Sequence, residues 1–509
     1  MPDRPRALPA LVHNLALILA GAAQTLSFSP FYLWPLGLVS LLAVLYLTKP
    51  TAPEKLFRDG WLVGLGLFGS GTSWVYVSIH DYGMTSVPVA AALTLVFVAG
   101  LALFPALGFW LWGKLTSSAA TRLWLFPAVW VLTDWVRGFL FTGFPWLYLG
   151  TSQVDGPLAP WAPVIGVHGV TLLLAASATL LYGAFVAYRQ RSGSKEPAVL
   201  LCLAVLPWLT AWPLGSLNWT EREPRPISFA AMQGNIPQQI KWEPAHLRDQ
   251  LVQYLTMTEG YWDRDLILWP ETAIPVPSPD AGPIVDRIEE KAAEHGTTLL
   301  TGIPWFGYSE ELQRETFHNS MTVIGDGDGF YHKQKLVPFG EYVPLEVWLR
   351  GLIGFFDLPM SSFSPGPAEQ ALLSIGGRSV NAFICYEIAY PDFVAAGSRG
   401  TDYLVTVSND AWFGNSIAPL QHLQLARMRA LETSRFVLRG TNNGVTALID
   451  EHGQVLQSAP RFEVAVLSGE LYPVKGATPF MRWQSWPVLV LLGLILGAAK
   501  WLKRKSRKG

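Results

Sequence analysis

Asp265-Leu266-Ile267-Leu268-Trp269-Pro270-Glu271 decides how the middle of this chain folds. Four apolar residues in a row, stopped by a proline and an acid, read as a short strand buried on both faces. Working outward, the same pattern recurs in Ile227–Met232 before it, and in Thr297–Gly302, Ser379–Ile384 and Tyr403–Val407 after it. Stretches with helical spacing alternate with these strands. They are Pro244–Tyr261 (Leu247, Leu251, Tyr254, Leu255), the charged Ile284–His295, and Leu420–Ser434. Phe436–Asp450 reads as a hairpin or strand pair, with turn residues at Asn442-Asn443-Gly444 and again at Glu451-His452-Gly453. Strands alternating with helices predict one α/β layered domain over residues 221–482.

The flanks are of another kind. Only 15% of the 509 residues are charged and 50% are hydrophobic, against roughly a quarter charged in an average soluble protein. That excludes a disordered chain. With 37 basic against 38 acidic residues there is no basic excess for nucleic acid. Charge is absent from Ala7–Thr48, Gly60–His80, Tyr82–Gly113, Gly156–Tyr188, Pro197–Thr220 and Trp483–Ala499. Each stretch holds a membrane helix of about 20 residues, and the first holds two, broken near Ser27-Phe28-Ser29-Pro30. A weaker span, Thr121–Phe141, carries Asp134 and Arg137 three apart on one helix face; the simpler reading is a structural ion pair. The sum is eight spans: seven in residues 1–220 and one in residues 483–509. The first is expected to stay in the chain rather than act as a removable signal, since apolar spans follow at once.

Lys and Arg mark every second loop: Arg4 and Arg6; Lys49, Lys55 and Arg58; Lys114 and Arg122; Arg189, Arg191 and Lys195; and the tail Lys500–Lys508. This predicts both termini in the cytoplasm and residues 221–482 on the far side.

Three strands of the middle domain run into reactive residues. Asp265–Trp269 leads to Glu271, Met321–Tyr331 leads to His332-Lys333, and Ser379–Ile384 leads to Cys385. In open α/β sheets functional groups collect past the carboxyl ends of strands. A carboxylate can take the proton of a thiol, the thiolate can attack an acyl carbon, and an ammonium can stabilise the oxyanion. The trio suits acyl transfer through a thioester. No metal or organic cofactor is indicated, and the nine His show no ligand spacing such as His-x-x-x-His within a helix. Cys202 lies in an apolar run and Cys385 does not, so no disulfide is expected between them.

Trp269-Pro-Glu-Thr-Ala273, Tyr331-His-Lys-Gln-Lys-Leu336 and Ile384-Cys-Tyr-Glu387 resemble, in order, the glutamate, lysine and cysteine motifs of the nitrilase (carbon–nitrogen hydrolase) superfamily. That resemblance implies an αββα sandwich. A nitrilase-like domain between seven N-terminal spans and one C-terminal span resembles the apolipoprotein N-acyltransferase family. So do Met232-Gln-Gly-Asn-Ile-Pro-Gln238, Leu336-Val-Pro-Phe-Gly-Glu-Tyr-Val-Pro344, Cys385-Tyr-Glu-Ile-Ala-Tyr-Pro391 and Ser408-Asn-Asp-Ala-Trp-Phe-Gly414. The expected fold class is therefore an α-helical membrane bundle of eight spans with an inserted α/β nitrilase-like αββα sandwich.

The resemblance also implies a multi-pass enzyme of the bacterial inner membrane with a periplasmic catalytic domain. Its acyl donor would be a phospholipid, usually phosphatidylethanolamine. Its acceptor would be the α-amino group of an apolipoprotein's diacylglyceryl-cysteine. Glu271 would be the general base, Cys385 the nucleophile and Lys333 the oxyanion stabiliser. Lys335 is the alternative lysine, because the superfamily's Lys-x-His-Leu reads Lys333-Gln-Lys335-Leu336 here. Glu341 and Glu387 would serve positioning or proton handling, and Tyr386 would shape the pocket. Trp242, Trp412 and Phe413 line a lipid-binding mouth or are ordinary interfacial aromatics. Phe355–Phe363 reads as a lid or as a buried loop. Two other functions fit the chain less well: a membrane-anchored amidase, and a transporter with a binding domain.

Overall fold

The computed structural model describes residues 9–48, 52–190, 195–309, 313–343 and 362–506. Arg4, Arg6, Lys49, Arg191, Pro344, most of Phe355–Phe363 and the last basic residues lie outside the described residues. The chain forms two compact units. One gathers residues up to Val75, Ala91–Leu217 and residues from Ser485 onward; the other gathers Tyr76–Ala90 and Asn218–Gln484.

The first unit is helical. Its helices are Ala10–Thr25, Pro35–Leu47, Pro53–Gly71, Val87–Leu115 (entering from the other unit), Ala119–Arg137, Ala162–Arg189, Glu196–Gly215 and Trp486–Lys505. Each overlaps a predicted span, and the first two separate near Ser27–Pro30 as expected. Not all are long enough to cross a bilayer. Val87–Leu115, Ala159–Arg189, Glu196–Gly215 and Trp486–Lys505 are, and Pro53–Gly71 joins Val75–Tyr82 across a 60° bend as a fifth. Ala10–Thr25 and Pro35–Leu47 have only 16 and 13 residues. At 1.5 Å per residue these reach about 20 to 24 Å, short of the roughly 30 Å hydrocarbon core. Ala119–Arg137 carries Arg122, Asp134 and Arg137. The count of eight therefore includes two short helices and one charged helix.

Leu19, Leu95, Val96, Leu209 and Leu494 stand exposed on the helix surfaces. An apolar outer surface with the backbone bonded inside its helices is that of a membrane protein. Cys202 is also exposed. Two helices cross backbone to backbone. A Cβ at Gly21 would stand 2.0 Å from the Val63 carbonyl oxygen, and one at Gly66 would stand 1.9 Å from that of Ile18. Only glycine permits that approach. Arg137 is buried; it donates to the Phe144 and Trp146 carbonyls at 2.6 and 2.7 Å and to Asp134 at 2.8 Å. The pair thus folds the loop after its helix, as the simpler reading expects.

The second unit is α/β. Its strands among the described residues are β1 (Thr220–Arg222), β2 (Ile227–Gln233), β3 (Leu266–Leu268), β4 (Thr298–Ser309), β5 (Arg314–Gly325), β6 (Gly327–Asp328), β7 (Phe330–His332), β8 (Leu373–Ile375), β9 (Arg378–Ile384), β10 (Tyr403–Ser408), β11 (Val437–Thr441), β12 (Ala447–Ile449), β13 (Val455–Ser458), β14 (Ala465–Leu471) and β15 (Val474–Gly476). Six form a sheet in the order β14-β2-β3-β4-β5-β7, and seven form another in the order β13-β12-β11-β10-β9-β8-β6. The strands β2, β3 and β4 are parallel, as are β9, β10 and β11.

Side-chain alternation sorts the layers. Phe229, Ala231, Leu266 and Leu268 pack against Val380, Ala382, Ile384, Val405 and Val407 of the other sheet. Their neighbours Ala230, Met232 and Ile267 face Leu251 and Tyr254 of helix Leu247–Thr258, and Ile288 and Ala292 of helix Gly282–His295. On the far side Phe383, Leu404 and Val437 face Ile388, Val394, Leu423 and Ala426, the last two from helix Ala418–Thr433. The result is the expected αββα sandwich. One sequence expectation fails: Met321–Tyr331 is not a single strand. Gly325 and Gly329, at φ +95° and +129°, turn the chain so that β7 folds back antiparallel on β5.

Tyr76–Ala90 packs within this second unit. The Ser78 hydroxyl donates to the Trp412 carbonyl at 2.8 Å, and Tyr82 lies edge-on to the Trp412 ring at 5.9 Å.

Candidate active site

Glu271 follows β3 past Trp269-Pro270, in a turn closed by the Ala273 N–H on the Pro270 carbonyl and by Thr272 at φ +51°. Lys333 is the first residue beyond β7. Cys385 is the first beyond β9, and its own φ is +53°. A left-handed non-glycine residue directly after a strand turns the side chain out of the sheet's alternation, and such strain collects at functional sites.

The three residues meet. The Lys333 Nζ lies 3.7 Å from Glu271 Oε1 and 2.8 Å from Glu341 Oε1. Lys333 and Glu271 both act electrostatically on the Cys385 thiol, which also bonds to Ser408. Burial foremost, then the Glu271 carboxylate, pushes the thiol up to about 12, against the pull of Lys333. Cys385 therefore rests as a thiol. Burial alone would depress the Lys333 ammonium, but Glu341 and Glu271 outweigh it and hold it well above the ordinary lysine value. Lys335 points elsewhere, with its ammonium over the rings of Tyr390 and Phe393 at 5.7 and 5.5 Å.

The two further acids occupy different places. Glu341 joins the reactive group: its Oε1 accepts from Lys333 and its Oε2 from the Val337 N–H at 2.8 Å. Glu387 instead binds backbone. It accepts from the N–H groups of Ile384, Gln334 and Lys335 at 2.8, 2.6 and 3.1 Å, and from the Tyr331 hydroxyl. It thereby ties the lysine segment to the turn that carries Cys385. Tyr386 is buried, edge-on to Tyr390 at 5.3 Å.

Several members were not legible in the sequence. Asn319 of β5 donates from its Nδ2 to Glu271 Oε1 at 2.7 Å and to Glu341 Oε1 at 3.1 Å, spacing the two carboxylates. The Asn409 N–H donates to Glu271 Oε2 at 2.7 Å. Lys241 donates to the Glu271 carbonyl at 2.9 Å. Beneath Cys385, the His422 ring lies between Asp410 and the Cys385 carbonyl oxygen, 3.1 and 3.0 Å away, with Arg439 on Asp410 at 2.8 Å. Asn409 and Asp410 lie inside the quoted Ser408–Gly414 motif, which was their only signal. His332 bonds to Ser320 at 2.7 Å beside His318. Burial and His318 push it down to about 4, so it is neutral.

Trp242, Trp412 and Phe413 are half-buried. Trp412 packs on Tyr82, and among the described residues the indole N–H of Trp242 has no hydrogen-bond partner. Among the described residues no three His, Cys, Asp or Glu side chains are grouped to hold a metal ion.

Known proteins resemble the chain in the same two parts. Residues 20–180 match the family described as Apolipoprotein N-acyltransferase N-terminal domain, and residues 229–475 match Carbon-nitrogen hydrolase. The apolipoprotein N-acyltransferase of Pseudomonas syringae pv. tomato is 47% identical to this chain over 98% of both lengths. The chain belongs to the apolipoprotein N-acyltransferase family. The Azotobacter vinelandii apolipoprotein N-acyltransferase is 46% identical, covering 98% of this chain and 97% of its own. Saccharomyces cerevisiae Nit3, a nitrilase-superfamily structure, is 17% identical, with a TM-score of 0.37 over 50% of this chain and 93% of its own.

Proposed function

We propose that this member of the apolipoprotein N-acyltransferase family moves an acyl chain from a membrane phospholipid to the N-terminal amine of a lipoprotein. The acceptor is the diacylglyceryl-cysteine, and the usual donor is phosphatidylethanolamine. The chain crosses the bacterial inner membrane eight times. Both termini lie in the cytoplasm, and residues 221–482 face the periplasm.

The chemistry runs in two steps. Glu271 takes the thiol proton as the Cys385 sulfur attacks the ester carbonyl. Lys333 stabilises the oxyanion. The tetrahedral intermediate collapses, the C–O bond breaks, and lysophospholipid leaves with the proton from Glu271. The lipoprotein amine then attacks the thioester, Glu271 takes its proton, and the Cys385 sulfur leaves and is reprotonated. A thiol held near 12 cannot supply resting thiolate at neutral pH, so the base has to act in the attack itself.

The observation that supports this reading is the grouping of Glu271, Lys333 and Cys385 from three separate strand ends. Purified protein incubated with phosphatidylethanolamine labelled in its acyl chain should carry that chain on Cys385 as a hydroxylamine-labile adduct. Adding a diacylated lipopeptide should transfer it. No adduct on the native enzyme, or lipoprotein maturation undiminished in Cys385→Ala cells, would reject the reading.

A further inference from the structure

The segment Gly234–Trp242 has no part in the mechanism above, yet it is bound to the base from two sides. Asn409 donates its side chain to Gln238 at 2.6 Å and its N–H to Glu271 Oε2 at 2.7 Å. Further along the segment, Lys241 is buried and donates to the carbonyl oxygen of Glu271 at 2.9 Å. The segment is itself held. Gln250, from helix Leu247–Thr258, donates to the Ile240 and Lys241 carbonyls at 3.0 and 3.4 Å.

A lysine this buried is costly to keep as an ammonium unless negative charge faces it. Burial pushes Lys241 down to about 8, opposed by Glu271 and by Cys385. A neutral donor would satisfy the Glu271 carbonyl equally well. What a lysine adds there is charge. Glu271, Lys333 and Asp410 act on the thiol, and the thiol in turn raises Lys241, which makes four charged groups coupled to it. Two of the four are acids that oppose the thiolate.

We propose that Lys241 is a positioning residue of this site: it holds the turn that carries Glu271, and its ammonium is a second cation favouring the Cys385 thiolate. This rests on the reading of Glu271 as base and Cys385 as nucleophile. The coupling is mutual. A thiolate forming in the first step keeps Lys241 protonated, and a protonated Lys241 makes that thiolate easier to form.

The test compares the full-length protein in lipid nanodiscs with Lys241→Gln and Lys241→Arg. Glutamine keeps a donor and loses the charge; arginine keeps the charge. Alkylation of Cys385 by iodoacetamide is followed against pH, and acylation by labelled phospholipid is followed by mass. Below pH 8, where Lys241 carries its charge, K241Q should alkylate about tenfold more slowly than the native protein, the difference closing as pH rises above 8. The acylation rate constant should fall with little change in KM. K241R should alkylate at pH 9 at least as fast as the native protein, because arginine keeps a charge that Lys241 loses above pH 8.

A K241Q profile coinciding with the native one below pH 8 overturns the proposal. So does K241R alkylating more slowly than the native protein at pH 9, an outcome that stands even if K241Q fails to fold. Alkylation needs no lipid. If the native protein never gains an acyl mass while K241Q still shifts the profile, the acyltransferase reading fails and the role of Lys241 stands.

Discussion

Lys333 Nζ is bonded to Glu341 Oε1 at 2.8 Å. Glu271 stands farther from the same ammonium, at 3.7 Å. The lysine ammonium therefore lies closer to Glu341 than to Glu271. In Glu341→Gln, Lys333 should move onto Glu271 and make it a weaker base. Glu271→Gln should slow single-turnover acylation by about 10²- to 10⁴-fold, and E341Q should slow it by less, on the order of tenfold. E341Q acylating at the native rate would contradict this division of labour.

The thiol provides a pH test. With Cys385 raised to about 12, alkylation by iodoacetamide should keep rising from pH 7 to pH 9 without a plateau. Removing the opposing charge in Glu271→Gln should speed alkylation at a given pH while slowing acylation. A plateau below pH 8 in the native protein would mean a resting thiolate and no need for a general base.

Glu387 predicts a pH-dependent stability. Burial raises its carboxyl from 4.5 to about 7, although the N–H groups of Ile384, Gln334 and Lys335 and the Lys333 charge pull it down. The folded value is the higher one. Its contribution is therefore complete below pH 4.5 and is lost as pH rises through 7. Thermal midpoints of the purified protein should fall over that window, and Glu387→Gln should flatten the fall. E387Q should also slow acylation, because it loosens the tie between the lysine segment and the Cys385 turn. An unchanged slope in E387Q would place the titration on another group.

Gly21 and Gly66 predict a packing defect in the helical unit. Leucine at either position would drive a side chain into the opposing backbone carbonyl, 2.0 or 1.9 Å from its Cβ. Overpacking of this kind costs about 1–3 kcal/mol or more. Gly66→Leu should lower the thermal midpoint and the yield of monodisperse protein in detergent, whereas Gly100→Leu, with open space around its Cβ, should change neither.

Much of the layered domain was legible because its strands are buried on both faces and its helices on one. Asp265–Trp269 and Tyr403–Val407 read as apolar runs and Ile284–His295 as a charged amphipathic helix, and the elements found are Leu266–Leu268, Tyr403–Ser408 and Gly282–His295. The reversal at Gly325–Gly329 was not read: Met321–Tyr331 looks continuous in composition, and glycine dihedrals decide it. The strand β14 was not read: only Leu467 and Leu471 of its seven residues are buried, with Ser468 and Glu470 exposed between them, too short an apolar signal in a mixed run. Membrane helices were located by absence of charge, which fixes where an apolar segment lies but not how many residues of it are helical. Hence Pro35–Leu47 is shorter than the charge-free stretch that holds it.

The sequence by itself determined the division into apolar flanks and a charged α/β centre. It also determined the order of the Glu, Lys and Cys motifs and the alternation that builds four layers. These are local properties, carried by composition and by periods of two and 3.6 residues. The motif register already favoured Lys333 over Lys335, and tertiary structure brings Lys333 against the acids while Lys335 lies over Tyr390 and Phe393. Tertiary structure alone decided that Glu341 lies on Lys333 while Glu387 binds backbone, and that Asn319, Asn409 and Lys241 hold Glu271. The bonds to Glu271 join residues 30 to 138 positions apart. Only the pairing of strands and the facing of two sheets bring such positions within 3 Å, and no local pattern in the chain records that distance.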